Sequence, residues 1–445
     1  MISLYTPILP QRTGTADYAN LMLRDLARAG VPRTRVRVVV DSGRIDMTTA
    51  TVPGGYDVIS YRALPNVVAP GDTAIFFIAN NEHHGYIHAA LRDLTVLPGG
   101  RVIAVVHEPC CAMLLDSLAF HYQHGFTLES LKASLAAQYG AMTPVFLSQF
   151  RDGYLSDIFH FTSHALGHVL TKAHEVWTHS LYAALKLTLE STLAPENLPR
   201  FRLVAHPDYD PLAPPRPAHS ATPVTRRTPD AAPAEPHFVV GVFGWVSRPK
   251  RVIQAIRGFH RFLTRLDPDE LDAIEMRVVG ALPDPRSYDP RGAAAELGLG
   301  DRIVFHDFVD SETFRQLQAT SSIQLNLRYP SCGETSGTLK GASQSAVPSI
   351  VTDYQAFREV EADEAISFLP GREEDEIADA LHRQYLRWSG RAAPQPRERV
   401  VPAPTRQRLD RLIAGIAGAG DTGETRLDTG VAQGTDDRGR KIARA

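Results

Sequence analysis

Six residues, CGETSG at Cys332 to Gly337, set one carboxylate, two hydroxyls and two glycines between an apolar run, SIQLNL, and a run of small residues, TLKGASQSAVP. The pattern predicts a strand ending near Leu327, a loop, and a helix starting near Thr335 that packs closely through its small side chains. A helix begun there aims the backbone N–H groups of Thr335, Ser336, Gly337 and Thr338, with the positive end of the helix dipole behind them, into the space beyond the strand. That arrangement holds an anion. Gly333 and Gly337 permit close approach, and the hydroxyls of Ser336 and Thr338 can donate to phosphate oxygens. Glu334 would repel a phosphate, so its place beside one fits a ligand that carries hydroxyls next to its phosphates. A capping loop with a solvated glutamate is the plain structural alternative.

A second anion signal is FGWVSRPKRVIQAI, where a strand ends at Gly244 and Arg248, Lys250 and Arg251 stand at the start of the next helix. Fixed cations beside a helix N-terminus can neutralise a diphosphate without a bound metal; a solvated basic turn is the alternative. Near the N-terminus, PQRTGTADYANLML offers a third glycine loop at Gly14, opening a helix whose Tyr18, Leu21, Met22 and Leu26 face a core. Neither a GxxxxGK[ST] loop nor a GxGxxG fingerprint occurs, which argues against a kinase or a dehydrogenase.

These three loops need elements to hold them. Short β-branched runs, RTRVRVVV, TAIFFIAN, RVIAVVH and FRLVAH, alternate with amphipathic stretches such as IHAALRDL and SLYAALKLTLEST. Strands buried on both faces lose polar alternation, so this pattern predicts parallel sheets with crossover helices. Residues 1–210 read as one Rossmann-like domain, 211–236 (PLAPPRPAHSATPVTRRTPDAAPAEP) as a proline-rich linker, and 237–390 as a second such domain. A helical segment at 391–416 and a polar, glycine-rich, disordered tail at 417–445 follow. Two doubly wound α/β domains place ligands between the C-terminal edges of their sheets, so the active site is expected in the cleft between them.

Composition narrows the partners. With 47 Lys+Arg against 50 Asp+Glu, a net charge of −3 gives no sign of a nucleic-acid or anionic-membrane protein. The N-terminus lacks the basic segment of a signal peptide, and no stretch reaches a membrane span, so the cytoplasm is the expected compartment. Three cysteines form no disulfide framework, and Cys110 and Cys111 read as small buried residues beside a strand end. FHFTSHALGHVLTKAH spaces His160, His164 and His168 by four on one helical face; a structural stripe is favoured over a metal site because no carboxylate or cysteine completes a ligand set. Trp177 and Trp245 read as core or cleft wall.

The segment LRYPSCGETSGTLKGASQSAVPSIVTDYQAFREV resembles the donor site of the group-1 family of retaining glycosyltransferases of GT-B fold. Three more stretches agree in order: LYTPILPQRTGTADYANLML, IFFIANNEHHGYIHAALRDLTVLPGGRVIAVVHEP and FGWVSRPKRVIQAIRGF. Together they cover most of residues 1–125 and 237–370. The resemblance implies transfer of a sugar from a nucleotide sugar to a hydroxyl acceptor bound by the N-terminal domain, without metal or other cofactor. It implies catalytic roles for His107 and Glu334, and donor contacts from Gly14, Arg248, Lys250, Ser336, Gly337, Thr338 and Glu359. The expected acceptor is a glycan, a lipid-linked sugar or a small molecule, in polysaccharide or glycoconjugate synthesis, with peripheral membrane contact at most. The chain departs from the family pattern at Gly341, where a ribose-holding Glu is usual, at Ala346 for Gly, and at Glu108 for Asp. The same fold hosts nucleotide-sugar epimerases and glycan phosphorylases, and Gly341 would also suit a non-catalytic nucleotide-sugar or glycan-binding module.

Overall fold

A computed structural model describes residues 1–155, 157–211 and 237–392. The expected linker beyond residue 211, the C-terminal helical segment beyond residue 392 and the whole tail fall outside the described residues. Two parallel sheets carry the fold. In chain order the first half contains β1 (Ile2–Tyr5), α1 (Gly14–Arg28), β2 (Val36–Val40), β3 (Asp57–Ser60), β4 (Val67–Val68), β5 (Thr73–Ile78), α2 (Gly85–Arg92), β6 (Thr95–Val96) and β7 (Arg101–Val106). Next come α3 (Ala112–Phe120), α4 (Leu128–Tyr139), α5 (Thr143–Arg151), α6 (Ile158–Thr162), α7 (Gly167–Lys172), β8 (Glu175–Thr178), α8 (Leu181–Leu189) and β9 (Arg200–Leu203). The main sheet runs β3-β2-β1-β5-β7-β8-β9, all neighbours parallel, while β4 and β6 form a separate pair.

The second half contains β10 (Phe238–Phe243), α9 (Val252–Leu263), β11 (Ile274–Val279), α10 (Pro290–Glu296), β12 (Ile303–His306), α11 (Ser311–Ala319), β13 (Ile323–Asn326), α12 (Gly337–Gln344), β14 (Ser349–Thr352), β15 (Glu364–Ile366) and α13 (Glu373–Trp388). Its sheet runs β12-β11-β10-β13-β14-β15, again wholly parallel. Both sheets thus reverse direction beside their first strand, between β1 and β5 and between β10 and β13. The crevice at such a reversal is where doubly wound folds bind ligands.

The apolar runs become the strands because both faces are covered: every residue of β10 is buried, as are five of six in β7. Tyr18, Leu21, Met22 and Leu26 of α1 are buried as the helical spacing requires. α9 packs on α13 so closely that a side chain at Gly258 would overlap Ile377. Helices α3 to α6 fill the interval between β7 and β8 with a satellite core of Leu115, Leu118, Phe126, Leu131, Leu135 and Phe159. The histidine stripe does not form as expected. Ala165 adopts φ +52°, so α6 stops at Thr162 and α7 begins at Gly167, which places His160, His164 and His168 on separate segments.

Candidate active site at the junction of the two sheets

Strand β13 ends at Asn326, one residue before the expected Leu327, and the loop after it carries the Arg328–Glu334 charge pair. Arg328 is 6% exposed, with its cation over the Phe357 ring at 5.5 Å. Its Nη1 donates to the Leu327 carbonyl at 2.7 Å, and its Nε lies 3.3 Å from Glu334 Oε1. Ser331 Oγ donates to the other Glu334 oxygen at 2.7 Å and accepts from the Gly333 N–H at 2.9 Å. Gly333 is required here: its φ is +81°, and a Cβ would stand 2.6 Å from Pro109 Cγ and 2.8 Å from Tyr182 Cε1 of the other half. Glu334 is therefore a held carboxylate at the seam rather than a solvated loop residue.

Helix α12 begins at Gly337 with Ser336 as N-cap, its Oγ accepting from the Leu339 N–H at 3.3 Å. Asn326 Nδ2 donates to Ser336 Oγ at 3.0 Å and to Thr338 Oγ1 at 2.8 Å, and the two hydroxyls bond each other at 2.8 Å. Only one hydroxyl hydrogen is consumed in that mutual bond, so one remains to donate elsewhere. The main chain of Gly337 meets Tyr209 Oη, which donates to the Gly337 carbonyl at 3.4 Å.

Lys250 folds beneath the end of β10. A Cβ on Gly244 would be 2.5 Å from Lys250 Nζ and 3.3 Å from Thr338 Cγ2, which places the ammonium beside the start of α12. Burial pushes Lys250 well below the usual lysine range, the Arg328 cation pushes the same way, and Glu334 opposes both. Arg248 lies apart: its Nε and Nη2 donate to the Ser287 carbonyl at 3.1 and 2.5 Å, away from Lys250. Arg251 pairs with the buried Glu373 of α13, so its charge serves the α9–α13 contact.

The first half brings its own strand ends to the same place. Gly14 opens α1 with no atom within 4 Å of a would-be Cβ. His107 follows β7, its N–H bonded to the Ile78 carbonyl at 2.9 Å and its ring 4.5 Å from that of Tyr18. Its Nε2 is buried and meets no hydrogen-bond partner among the described residues. Burial, then the neighbouring His179, His84 and His206, hold His107 well below the usual imidazole value, so it is neutral. Glu108 beside it accepts from the Asn80 N–H at 2.7 Å. Burial and the nearby Glu334 raise Glu108 to about 7, against the pull of the Asn80 N–H and Arg328. Asn80 also takes the Leu114 N–H at 2.9 Å and donates to Cys332 Sγ at 3.4 Å, while Cys110 N–H donates to the Cys332 carbonyl at 3.1 Å. The two halves are joined at the site itself.

Glu359 does not stand with this cluster's cations. Its Oε2 accepts from Leu181 N–H at 2.6 Å and its Oε1 from Tyr182 N–H, capping α8 of the first half. At Gly341 the room for a side chain is filled by Gln318 Oε1, whose amide donates to the Thr338 carbonyl and to Gln324 Oε1, each at 2.7 Å. Sequence reasoning passed over Asn80, Gln318, Asn326 and Arg328. Only Arg328 left a signal, a lone cation directly after an apolar strand. A separate cavity of about 460 Å³ opens beside Gln11, Arg12, Arg44, His83 and the exposed Trp245, which is a cleft-wall residue; Trp177 is core.

The fold is that of the GT-B glycosyltransferases. Anabaena HepE in complex with UDP-glucose superposes with a TM-score of 0.54 at 14% identity, over 94% of this chain and 99% of that one. The α,α-trehalose-phosphate synthase (UDP-forming) of Burkholderia xenovorans gives 0.52 at 10% identity, over 86% and 91%. Sucrose-phosphate synthase of Thermosynechococcus elongatus gives 0.50 at 15%, over 87% and 97%. No protein-family model and no curated protein matches the chain. Among the described residues no helix is long and apolar enough to cross a membrane, and no group of His, Cys, Asp and Glu is arranged to hold a metal.

Proposed function

We propose that this protein is a glycosyltransferase that moves a sugar from a nucleoside-diphosphate sugar to a hydroxyl acceptor with retention of anomeric configuration. The observation that carries the reading is the meeting of Lys250, the start of α12 and Glu334 at one sheet reversal, opposite His107 at the other. Lys250 and the N–H groups at Gly337 and Thr338 stabilise negative charge on the departing diphosphate, with Gly14 closing from the other side. Diphosphate binding would raise the Lys250 pKa back towards the ordinary lysine range, because the new anion offsets the burial that depresses it. Glu334, with both oxygens oriented, accepts from hydroxyls of the transferred sugar. Neutral His107 offers an unpartnered nitrogen to the sugar or the acceptor hydroxyl. The leaving diphosphate takes the acceptor proton, so no side-chain nucleophile and no metal are needed. The UDP-glucose complex of the structurally similar HepE supports a nucleotide-sugar donor. The sequence resemblance supports a polysaccharide or glycoconjugate product. Arg248 keeps further N–H groups beside its bonds to Ser287, while Glu359 engages the start of α8.

The test is to follow donor turnover with a panel of nucleotide sugars and acceptors by proton NMR, in EDTA. An axial donor giving an axial product is expected. An inverted product, or an isomerised nucleotide sugar with no transfer, rejects the assignment.

A further inference from the structure

We propose that Arg328 is the positioning residue of the sugar subsite, holding Glu334 in the rotamer that faces the cleft. The inference rests on the donor-site reading above. Arg328 is fixed by the fold on every side. Its backbone N–H donates to Thr352 Oγ1 at 3.0 Å, its Nη1 to the Leu327 carbonyl, and its guanidinium lies over Phe357. Its side chain is 8% exposed against 22% for Glu334, so the rigid partner is the arginine and the orientable one is the glutamate. A buried arginine is costly unless paired, and the carboxylate at 3.3 Å is that pair.

The same cation answers a problem created by the seam. Glu108 of the first half comes close enough to Glu334 that Glu334 is the second contributor, after burial, to the raised Glu108 pKa. Two carboxyls approaching from opposite halves would turn apart or share a proton. Arg328 is attracted by both carboxyls, by Glu334 more strongly, with which it pairs at 3.3 Å, and by Glu108 after it. Ser331 fixes the second oxygen of Glu334, which leaves the remaining lone pairs of the carboxylate to accept from hydroxyl groups. Arg328 itself need touch no ligand.

The role separates sugar recognition from diphosphate recognition. Arg328 depresses Lys250, so removing it leaves the ammonium easier to protonate and does not weaken the diphosphate subsite. The test is calorimetric affinity for UDP, GDP and ADP and for the glucose conjugate of each, in wild type, Arg328→Met, Arg328→Lys and Glu334→Gln. With the base that binds wild type, Arg328→Met should keep free-diphosphate affinity within about threefold while the added affinity for the nucleotide sugar falls about tenfold or more, as loss of an oriented charged hydrogen-bond acceptor predicts. Glu334→Gln should match it, and Arg328→Lys should restore part of the loss. Equal loss for both ligands with a lowered melting temperature would show a merely structural arginine and overturn the proposal, as would an unchanged ratio. If wild type binds none of the diphosphates, the donor site itself is refuted and the role of Arg328 falls with it.

Discussion

Lys250 and Glu108 are the two groups whose charge state the fold has displaced most usefully. Because burial and Arg328 push Lys250 down, diphosphate binding should draw a proton from solvent at alkaline pH. Calorimetric enthalpies at alkaline pH should then vary with buffer ionisation enthalpy in the sense of proton uptake, and Lys250→Met should abolish that dependence. Glu108 titrates in the opposite regime. Its folded value, about 7, exceeds the ordinary 4.5, so the stability it contributes is complete below the unfolded value and is lost as pH rises through 7. Glu108→Gln should match wild type near pH 4 and exceed it by about 2 to 3 kcal/mol near pH 8, measured by urea unfolding, with partial opening to the cleft trimming the upper figure. Wild-type and variant curves that stay parallel across this range would refute the raised Glu108 value.

At the scale of elements, the two halves are linked by contacts that a sequence does not advertise. Glu359 caps α8 from 178 residues away in the chain. Glu359→Ala should cost about 1 kcal/mol in stability, as loss of a helix cap does. Gly333→Ala should be worse, since it combines a left-handed backbone with overlap on Pro109 and Tyr182; a loss of about 2 to 4 kcal/mol by chemical denaturation is expected. A second buried device joins α2 to α7. His88 Nδ1 and His168 Nε2 share a hydrogen bond of 2.9 Å, and His168 Nδ1 meets Ser134 Oγ at 3.2 Å. Burial depresses His88 to about 4 and holds His168 below its usual value. A depressed base gives stability that is present above pH 6.5 and lost as pH falls towards its folded value. His88→Gln should therefore be less sensitive to acid between pH 6.5 and 4 than wild type, whatever its stability at neutral pH.

For the whole molecule, what sequence revealed follows from what sequence encodes locally. Runs such as RVIAVV and FVVGVF announce buried parallel strands because, Arg101 aside, they are apolar or glycine throughout and are buried on both faces. The face of α1 and the glycine loop after β13 were legible for the same reason: each is defined by neighbours in the chain. The histidine spacing misled because four-residue periodicity says nothing about Ala165, whose φ of +52° ends the helix. Arg328 and Asn80 escaped notice because partners such as Thr352, Glu108 and Cys332 are brought in from distant segments, and Asn326 because its partners Ser336 and Thr338 meet it only once the loop folds back. Gln318 at the Gly341 vacancy is likewise a tertiary fact, and it shows that this position is filled by protein rather than held open.

The diphosphate site proposed between Lys250 and the start of α12 needs no metal. Titration of UDP, GDP and ADP into the protein with EDTA present, beside Lys250→Ala, tests it most directly. One of the three is expected to bind wild type unaffected by EDTA, and the variant to weaken binding by about tenfold or more, the order expected for loss of a charge-assisted phosphate contact. Binding that vanishes in EDTA, or that survives unchanged in Lys250→Ala, would contradict it.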